Sequence, residues 1–501
     1  MPDFPYLRPA QAQDAALTVF SGLDRRNGAK DGALRAGRNI DPGGFPWLVP
    51  ARPRAQQRAL TRATDLIAAC GGLGWIADGT FYWNGDRRGG VDDGRHQMAA
   101  IGHNVVIFPE KLYLDTTGTG ALQSMEARQA GRLVFTDSTI TFESAAVFRA
   151  GDGIAITGCT ARPENNKTAV VREVSGKTLT FSADCFTAGT ETLAVVRREV
   201  PDLQFVCEKD NRLWGVTDGK ICCSVLGDPF NWRVYDGLAG DGWEVSVGTD
   251  GDFTGCAAAA SHLLFFKEDC VHKVYGVKPA NFQVQVSRIP GVRAGCERSI
   301  LNVGETIYWW ARDGLMAYGG GIPDRLSAPL GETPYTEVAA GADGHTLYLS
   351  GKRDGAAELL ALDLETGAFA PCDEVHALAF AAEKDGLCYL TEAGLWRVGQ
   401  GDTPVQWEAT FGPFAETRDM PPLLSRLTLR VDTGSACSLS AAVSDAHGGW
   451  EPVWAGEVLT GGTVRIPIAL RGDWSAVRLS GTGRVRLQAL IRREKPGGGW
   501  Q

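Results

Sequence analysis

Asp210-Asn-Arg-Leu-Trp-Gly-Val-Thr-Asp-Gly219, followed by Ser224-Val-Leu-Gly-Asp-Pro-Phe-Asn-Trp232, decides the fold. A short apolar and aromatic run stands between Asp-Asn and Asp-Gly, which is the pattern of strand, tight turn, strand. The wording returns in Leu263-Leu-Phe-Phe-Lys-Glu-Asp269 and in Ile307-Tyr-Trp-Trp-Ala-Arg-Asp-Gly-Leu315. The stretch Leu203–Leu330 therefore reads as a dense run of hairpins.

Similar blocks extend in both directions: Leu66–Asn84, Ile101–Leu114, Leu203–Trp232, Thr254–Gly276, Ser299–Tyr318, Thr336–Phe369 and Val375–Val398. Central aromatics of the later blocks are spaced 43 residues (Phe265 to Tyr308), 40 (Tyr308 to Tyr348) and 41 (Tyr348 to Tyr389). That period is the length of a four-stranded propeller blade. The spacing predicts an all-β protein whose residues 63–130 and 201–400 form a β-propeller of about seven blades, six being the alternative count. Glycine supports this: 63 Gly with 14 Trp and 20 Phe suit many short strands joined by turns better than helices.

Residues 131–200 interrupt the repeat with strands of alternating polarity, among them Gly151-Asp-Gly-Ile-Ala-Ile-Thr-Gly158 and Asn165–Phe181. About 70 residues are too many for a loop and enough for an inserted small β-barrel or sandwich. After Val398, strict alternation in Arg426-Leu-Thr-Leu-Arg-Val431, Thr463–Ile468 and Val485–Ile491 means one wet and one dry face, so residues 401–495 are expected to form a C-terminal β-sandwich. Residues 496–501, ending in Trp500-Gln501, read as a flexible tail.

Residues 1–62 are set apart by text that is Gly-, Arg- and Pro-rich from Phe20 to about Arg62, with Asp41-Pro-Gly-Gly-Phe-Pro-Trp47 and Pro50-Ala-Arg-Pro-Arg54. They read as an extended arm lying over something else, with at most one short strand. Ten Lys/Arg against five Asp give this arm +5, leaving −14 for the rest of a chain of net charge −9. The acidic body argues against general adhesion to nucleic acid or anionic membrane. Arg35, Arg38, Arg52, Arg54 and Arg58 are the candidate contacts to a partner, and clamping to an acidic neighbouring subunit is favoured over binding DNA phosphate.

The chemistry-bearing motifs mostly fail. Gly176-Lys-Thr178 lacks the earlier glycine of a phosphate loop, having Val171 there, and reads as a hairpin turn. In Gly72-Leu-Gly-Trp-Ile-Ala77 the chain turns at Asp78-Gly79, where a dinucleotide-binding helix would start. Asp250-Gly-Asp-Phe-Thr-Gly255 resembles the start of a calcium loop, but Ser261 occupies the place of its bidentate Glu. No Gly-x-Ser-x-Gly elbow and no His-Glu-x-x-His pair occurs. No enzyme activity, cofactor or metal is expected, although paired glycosidase carboxylates need not be near each other in sequence. Trp309-Trp310 reads as blade packing in preference to a sugar platform. The twelve Cys, with no Cys-x-x-Cys, read as small hydrophobes in a reducing compartment. The start Met1-Pro-Asp-Phe-Pro-Tyr6 has no signal-peptide pattern and no run is long enough to span a membrane, so synthesis and folding in the cytoplasm are expected.

The order of Asn39–Trp47 with Arg52, Asn211-Arg-Leu-Trp-Gly215, Ser224–Trp232, Leu264-Phe-Phe-Lys-Glu-Asp269, His272-Lys-Val-Tyr-Gly276, Gly295-Cys-Glu-Arg-Ser299 and Asp313-Gly-Leu315 resembles the β-propeller virion proteins of tailed phages and prophages. The resemblance spans most of the chain, including Gly151–Gly158. It implies a structural subunit of the virion tail, repeated around the tail axis as part of a tube, nozzle, tip or head–tail ring. Its implied partners are copies of itself and other phage tail proteins, with host surface glycan as the further one. The alternative it leaves is a glycan-binding or glycan-cleaving adsorption module.

Overall fold

The computed structural model describes residues 11–415, 422–445, 449–472 and 474–495. The expected tail 496–501 and the start Met1–Tyr6 lie outside the described residues. The chain is all-β: antiparallel sheets joined by turns, with only short 3-10 segments among the described residues. It divides into two compact units, Leu60–Arg312 with Ala317–Pro323, and Met1–Ala59 with Asp313–Met316 and Asp324–Gln501.

The first-named unit holds four complete meanders of four antiparallel strands. They run Ala63–Ala69 to Asp86–Gly90, Gln97–Ile101 to Gln123–Ser124, Phe205–Lys209 to Trp243–Ser246, and Phe253–Ala258 to Gln283–Ser287. Leu301–Val303 and Thr306–Ala311 form the next hairpin. The turns explain the dipeptides of the sequence. Asp78-Gly79 (φ +50° and +64°) and Asp218-Gly219 (+43° and +73°) place two successive residues in the left-handed region, as the twist of a two-residue hairpin requires.

Both faces of the inner strands are covered. Ile76, Phe81 and Trp83 of the first sheet share a core with Val105, Ile107 and Leu114 of the second. Val106 and Phe108 of the second meet Leu213, Cys222 and Trp232 of the third. Trp214 and Val216 of the third meet Phe253, Phe265 and Val274 of the fourth. Each large side chain buried this way contributes about 1.5–3 kcal/mol. Gly72 and Gly74 belong to this packing and to no nucleotide site, since a Cβ would lie 2.7 Å from Trp83 and 2.9 Å from Phe81.

The insertion leaves and rejoins the sheets through one long pair, Ala127–Phe135 with Gly189–Arg198, bulged between Gly131 and Leu133. These two strands extend the module to 127–198. Its seven-stranded sheet buries Leu133, Phe135, Ile140, Ile154, Leu179 and Val196. Gly176 (φ +57°) with Lys177 forms the two-residue turn between Glu173–Ser175 and Thr178–Thr180, a hairpin without a phosphate cradle.

The other unit contains the meander Tyr335–Asp343 to Phe369–Asp373, and the strands Ala379–Glu383, Gly386–Thr391 and Gly394–Val398. Arg54–Ala59 completes this last sheet as its fourth strand, pairing with Gly394–Val398. Two further sheets follow from the alternating C-terminal sequence. One is built on Leu423–Asp432, Gly462–Arg471 and Arg486–Lys495, the other on Gln406–Ala415, Cys437–Ser444, Trp450–Val458 and Trp474–Thr482. Leu427, Leu429, Leu439, Ala441, Val477 and Leu479 are the buried alternate positions.

The amino-terminal segment departs from the expected arm. Gln13–Leu17 adds to Arg486–Lys495, Leu34–Arg38 adds to Gln406–Ala415, and Arg54–Ala59 completes the last meander. Residues 11–62 therefore supply edge strands to three sheets. The pattern hides this because an edge strand has one partner and needs little apolar alternation: Arg54-Ala-Gln-Gln-Arg-Ala59 has no fully buried residue.

Candidate functional site

The five arginines singled out from sequence separate into two groups. Arg54 is spent inside its own unit, ion-paired with Asp373 and lying 5.9 Å above the Tyr389 ring. Asp373 outweighs burial and pushes the Arg54 guanidinium further up. Arg35 donates to the backbone carbonyls of Gly412 and Asp24, each at 3.0 Å. Arg38, Arg52 and Arg58 are exposed, with Arg38 reaching Glu374 at 3.3 Å. Trp309 and Trp310 are both buried, Trp309 donating to the Pro290 carbonyl at 3.2 Å, so neither ring is a platform. Phe253 of the calcium-like segment is buried at the start of a strand. Among the described residues no group of His, Cys, Asp and Glu is placed to hold a metal ion, and no helix is long and apolar enough to cross a membrane. All twelve Cys are free thiols, eight buried and only Cys70 exposed.

Two polar constellations stand out in the unit 60–312, and neither was visible as a motif. The first fastens the insertion. Asp152, 1% exposed, takes both its oxygens to Arg198 Nη1 at 3.1 and 3.0 Å, and Arg198 Nη2 donates to the Met125 carbonyl. Asn231 Nδ2 donates to Asp152 at 3.1 Å and to Asp228 at 2.6 Å, while its Oδ1 accepts from Gly153 N. Phe230 lies under Arg198 and Arg149, 5.6 and 5.2 Å from the guanidinium carbons. So Gly151-Asp-Gly153 and Asp228-Pro-Phe-Asn-Trp232, 79 residues apart at Asp152–Asn231, are two halves of one joint. Gly153 is required there, since a Cβ would lie 2.4 Å from the Arg233 carbonyl oxygen.

Beside this joint opens a cleft of about 450 Å³ between the root of the insertion and the outer strands of the third sheet. Its walls carry six cationic and five anionic side chains. Most are paired with one another. Lys111 holds Glu126 at 3.0 Å and Asp202 at 2.7 Å; Arg197 and Arg233 share Glu199 at 3.4 and 2.6 Å; Lys220 holds Glu244 at 3.1 Å. Tyr235 on the rim is 56% exposed.

The second constellation is buried. His96 Nδ1 meets Asp65 at 2.8 Å and Nε2 meets Glu110 at 2.8 Å. Arg298, from Gly295-Cys-Glu-Arg-Ser299, ion-pairs with Asp65 and donates to the Thr64 carbonyl at 2.7 Å. Burial disfavours a charged imidazole, but the two carboxylates prevail and raise His96 above its ordinary value. Burial likewise opposes Asp65, and His96 with Arg298 nonetheless holds it below the usual carboxylate range. With His96 and Asp65 each 2% exposed, the cluster is closed to any substrate and acts as a clamp.

No protein-family model matches the chain and no curated protein does. Solved structures with some likeness include PorZ, a surface component of the type-IX secretion system of Porphyromonas gingivalis (10% identity, 85% of this chain and 75% of that one, TM-score 0.28). Others are a putative exported protein of Bacteroides fragilis (10%, 52% and 83%, TM-score 0.27) and Kluyveromyces lactis Hsv2 (10%, 63% and 97%, TM-score 0.25). Likeness at this level says nothing of activity or partners.

Proposed function

We propose that the chain is a structural subunit of a tailed-phage virion, in which the four-stranded sheets are the blades of a seven-bladed propeller closed by the pairing of Arg54–Ala59 with Gly394–Val398. The observation that carries the reading is the lacing of residues 13–59 as edge strands into three separate sheets. Each strand so inserted must break several backbone hydrogen bonds together before the segment can be pulled free, which suits a load-bearing part. The setting comes from the order of motifs that resembles phage tail propellers in the sequence. Arg38, Arg52 and Arg58 are exposed on the amino-terminal segment, Arg38 beside Glu374, and an acidic neighbour, whether a second copy or another tail protein, would meet them there.

The test is mass spectrometry of purified tailed particles from the strain that carries the gene, together with the mass of the isolated protein in solution. The protein is expected in the particles at a stoichiometry set by the tail symmetry. A protein absent from particles and monomeric at every concentration overturns the reading.

A further inference from the structure

We propose that the cleft between the root of the insertion and the third sheet binds an uncharged oligosaccharide. Its volume of about 450 Å³ lies within the roughly 300–1,000 Å³ of small-ligand pockets. Its chemistry selects among ligand classes. Six cations face five anions, and the pairs Lys111–Glu126, Arg233–Glu199 and Lys220–Glu244 neutralise each other locally. A polyanion would meet Glu126, Glu199, Asp202 and Glu244 as repulsion, and a polycation would meet the arginines the same way.

What the cleft offers is interleaved donors and acceptors at close spacing. A carboxylate engaged by one cation keeps further lone pairs, and an ammonium keeps further protons. Sugar hydroxyls, each donor and acceptor at once, match such a wall without bringing charge. The mutual pairing also holds these long side chains in place before a ligand arrives, which lowers the ordering cost of binding. Tyr235 adds the remaining element, an exposed ring at the rim that can cover the C–H face of a pyranose while its hydroxyl bonds outward.

The experiment applies the full-length protein to immobilised neutral bacterial oligosaccharides, with polysulfated and polysialylated glycans as charged arms. The best neutral ligand is then titrated by saturation-transfer NMR. Tyr235→Ala is expected to weaken binding about tenfold, the worth of one aromatic contact. Glu244→Gln, which leaves Lys220 unpaired in the wall, is expected to weaken it as well, and Lys384→Ala, exposed on a turn in the other unit, to leave it unchanged. Thermal melts confirm that each variant is folded, and Glu244→Gln decides if Tyr235→Ala is not. A blank neutral arm, binding confined to the charged arms, or binding indifferent to Tyr235→Ala and Glu244→Gln would overturn the proposal. Particle-borne protein with a blank array removes the cleft's role and leaves the assembly role standing.

Discussion

Arg298 and Asp65, 233 residues apart in the sequence, form a buried ion pair that ties the turn before Leu301–Val303 to the first strand of the unit. Their neighbours complete a charge-balanced clamp in which His96 bridges Asp65 and Glu110.

Removing one partner of such a pair leaves the other buried and uncompensated. Arg298→Ala is expected to destabilise the protein by about 3–5 kcal/mol in urea unfolding, more than Arg62→Ala, whose pair with Asp78 is two-thirds exposed. Equal losses for the two variants would contradict the burial argument.

The clamp also gives stability a pH dependence of definite sign. His96 binds its proton more tightly folded than unfolded, so its contribution is complete below the unfolded value near 6.5 and is lost as pH rises through the raised folded value. Asp65, Glu110 and Arg298 are the charged groups facing it. His262 and His272, lowered chiefly by burial, act in the opposite sense, so the comparison must be differential. The stability gap between wild type and His96→Gln is expected to narrow from pH 6 to pH 9. A gap constant over that range would contradict the assignment.

The joint of the insertion rests on Asp152. Asp152→Ala strands Arg198 and frees Asn231, and is expected to cost about 3–5 kcal/mol at that joint. Limited proteolysis should then cleave near Ala127–Phe135 or Gly189–Arg198 while the sheets survive. Unchanged proteolysis would show that packing alone holds the module.

Trp309 tests the reading of the paired tryptophans. The ring is fully buried, 5.1 Å from Phe266 and 6.1 Å from Tyr318. Trp309→Ala is expected to lose about 3–5 kcal/mol of stability, with its thermal midpoint falling accordingly. A loss below 1 kcal/mol would mean the site collapses around the missing ring.

Much of the strand pattern was legible in the sequence because its signals are local. The Asp-Gly turns at 78–79 and 218–219 and the spacing of Phe265, Tyr308, Tyr348 and Tyr389 each depend on residues close together or on a simple period. The aromatics mark the second strand of successive sheets. The alternation after residue 405 announced its sheets in the same way. The polar joints were hidden, since Asp152 meets Asn231 and Asp65 meets Arg298 only through the fold. Arg54 looked like a free cation in sequence, and its partner Asp373 is the last residue of a strand far along the chain. The cleft had no signature at all, because its lysines and glutamates, set on turns, strand ends and two outer strands, resemble any solvated surface.

The pairing of Arg54 with Val398 sets an order on synthesis. A ribosome adding about 5–20 residues per second needs roughly 20–70 s between the two residues. Throughout that interval the nascent segment 54–59 has no strand to join, and the sheet it completes cannot form until Gly394–Val398 has been made. Strand-by-strand folding in chain order is therefore excluded for this sheet, and a chaperone that shields residues 54–59 would have to hold them until Gly394–Val398 is available.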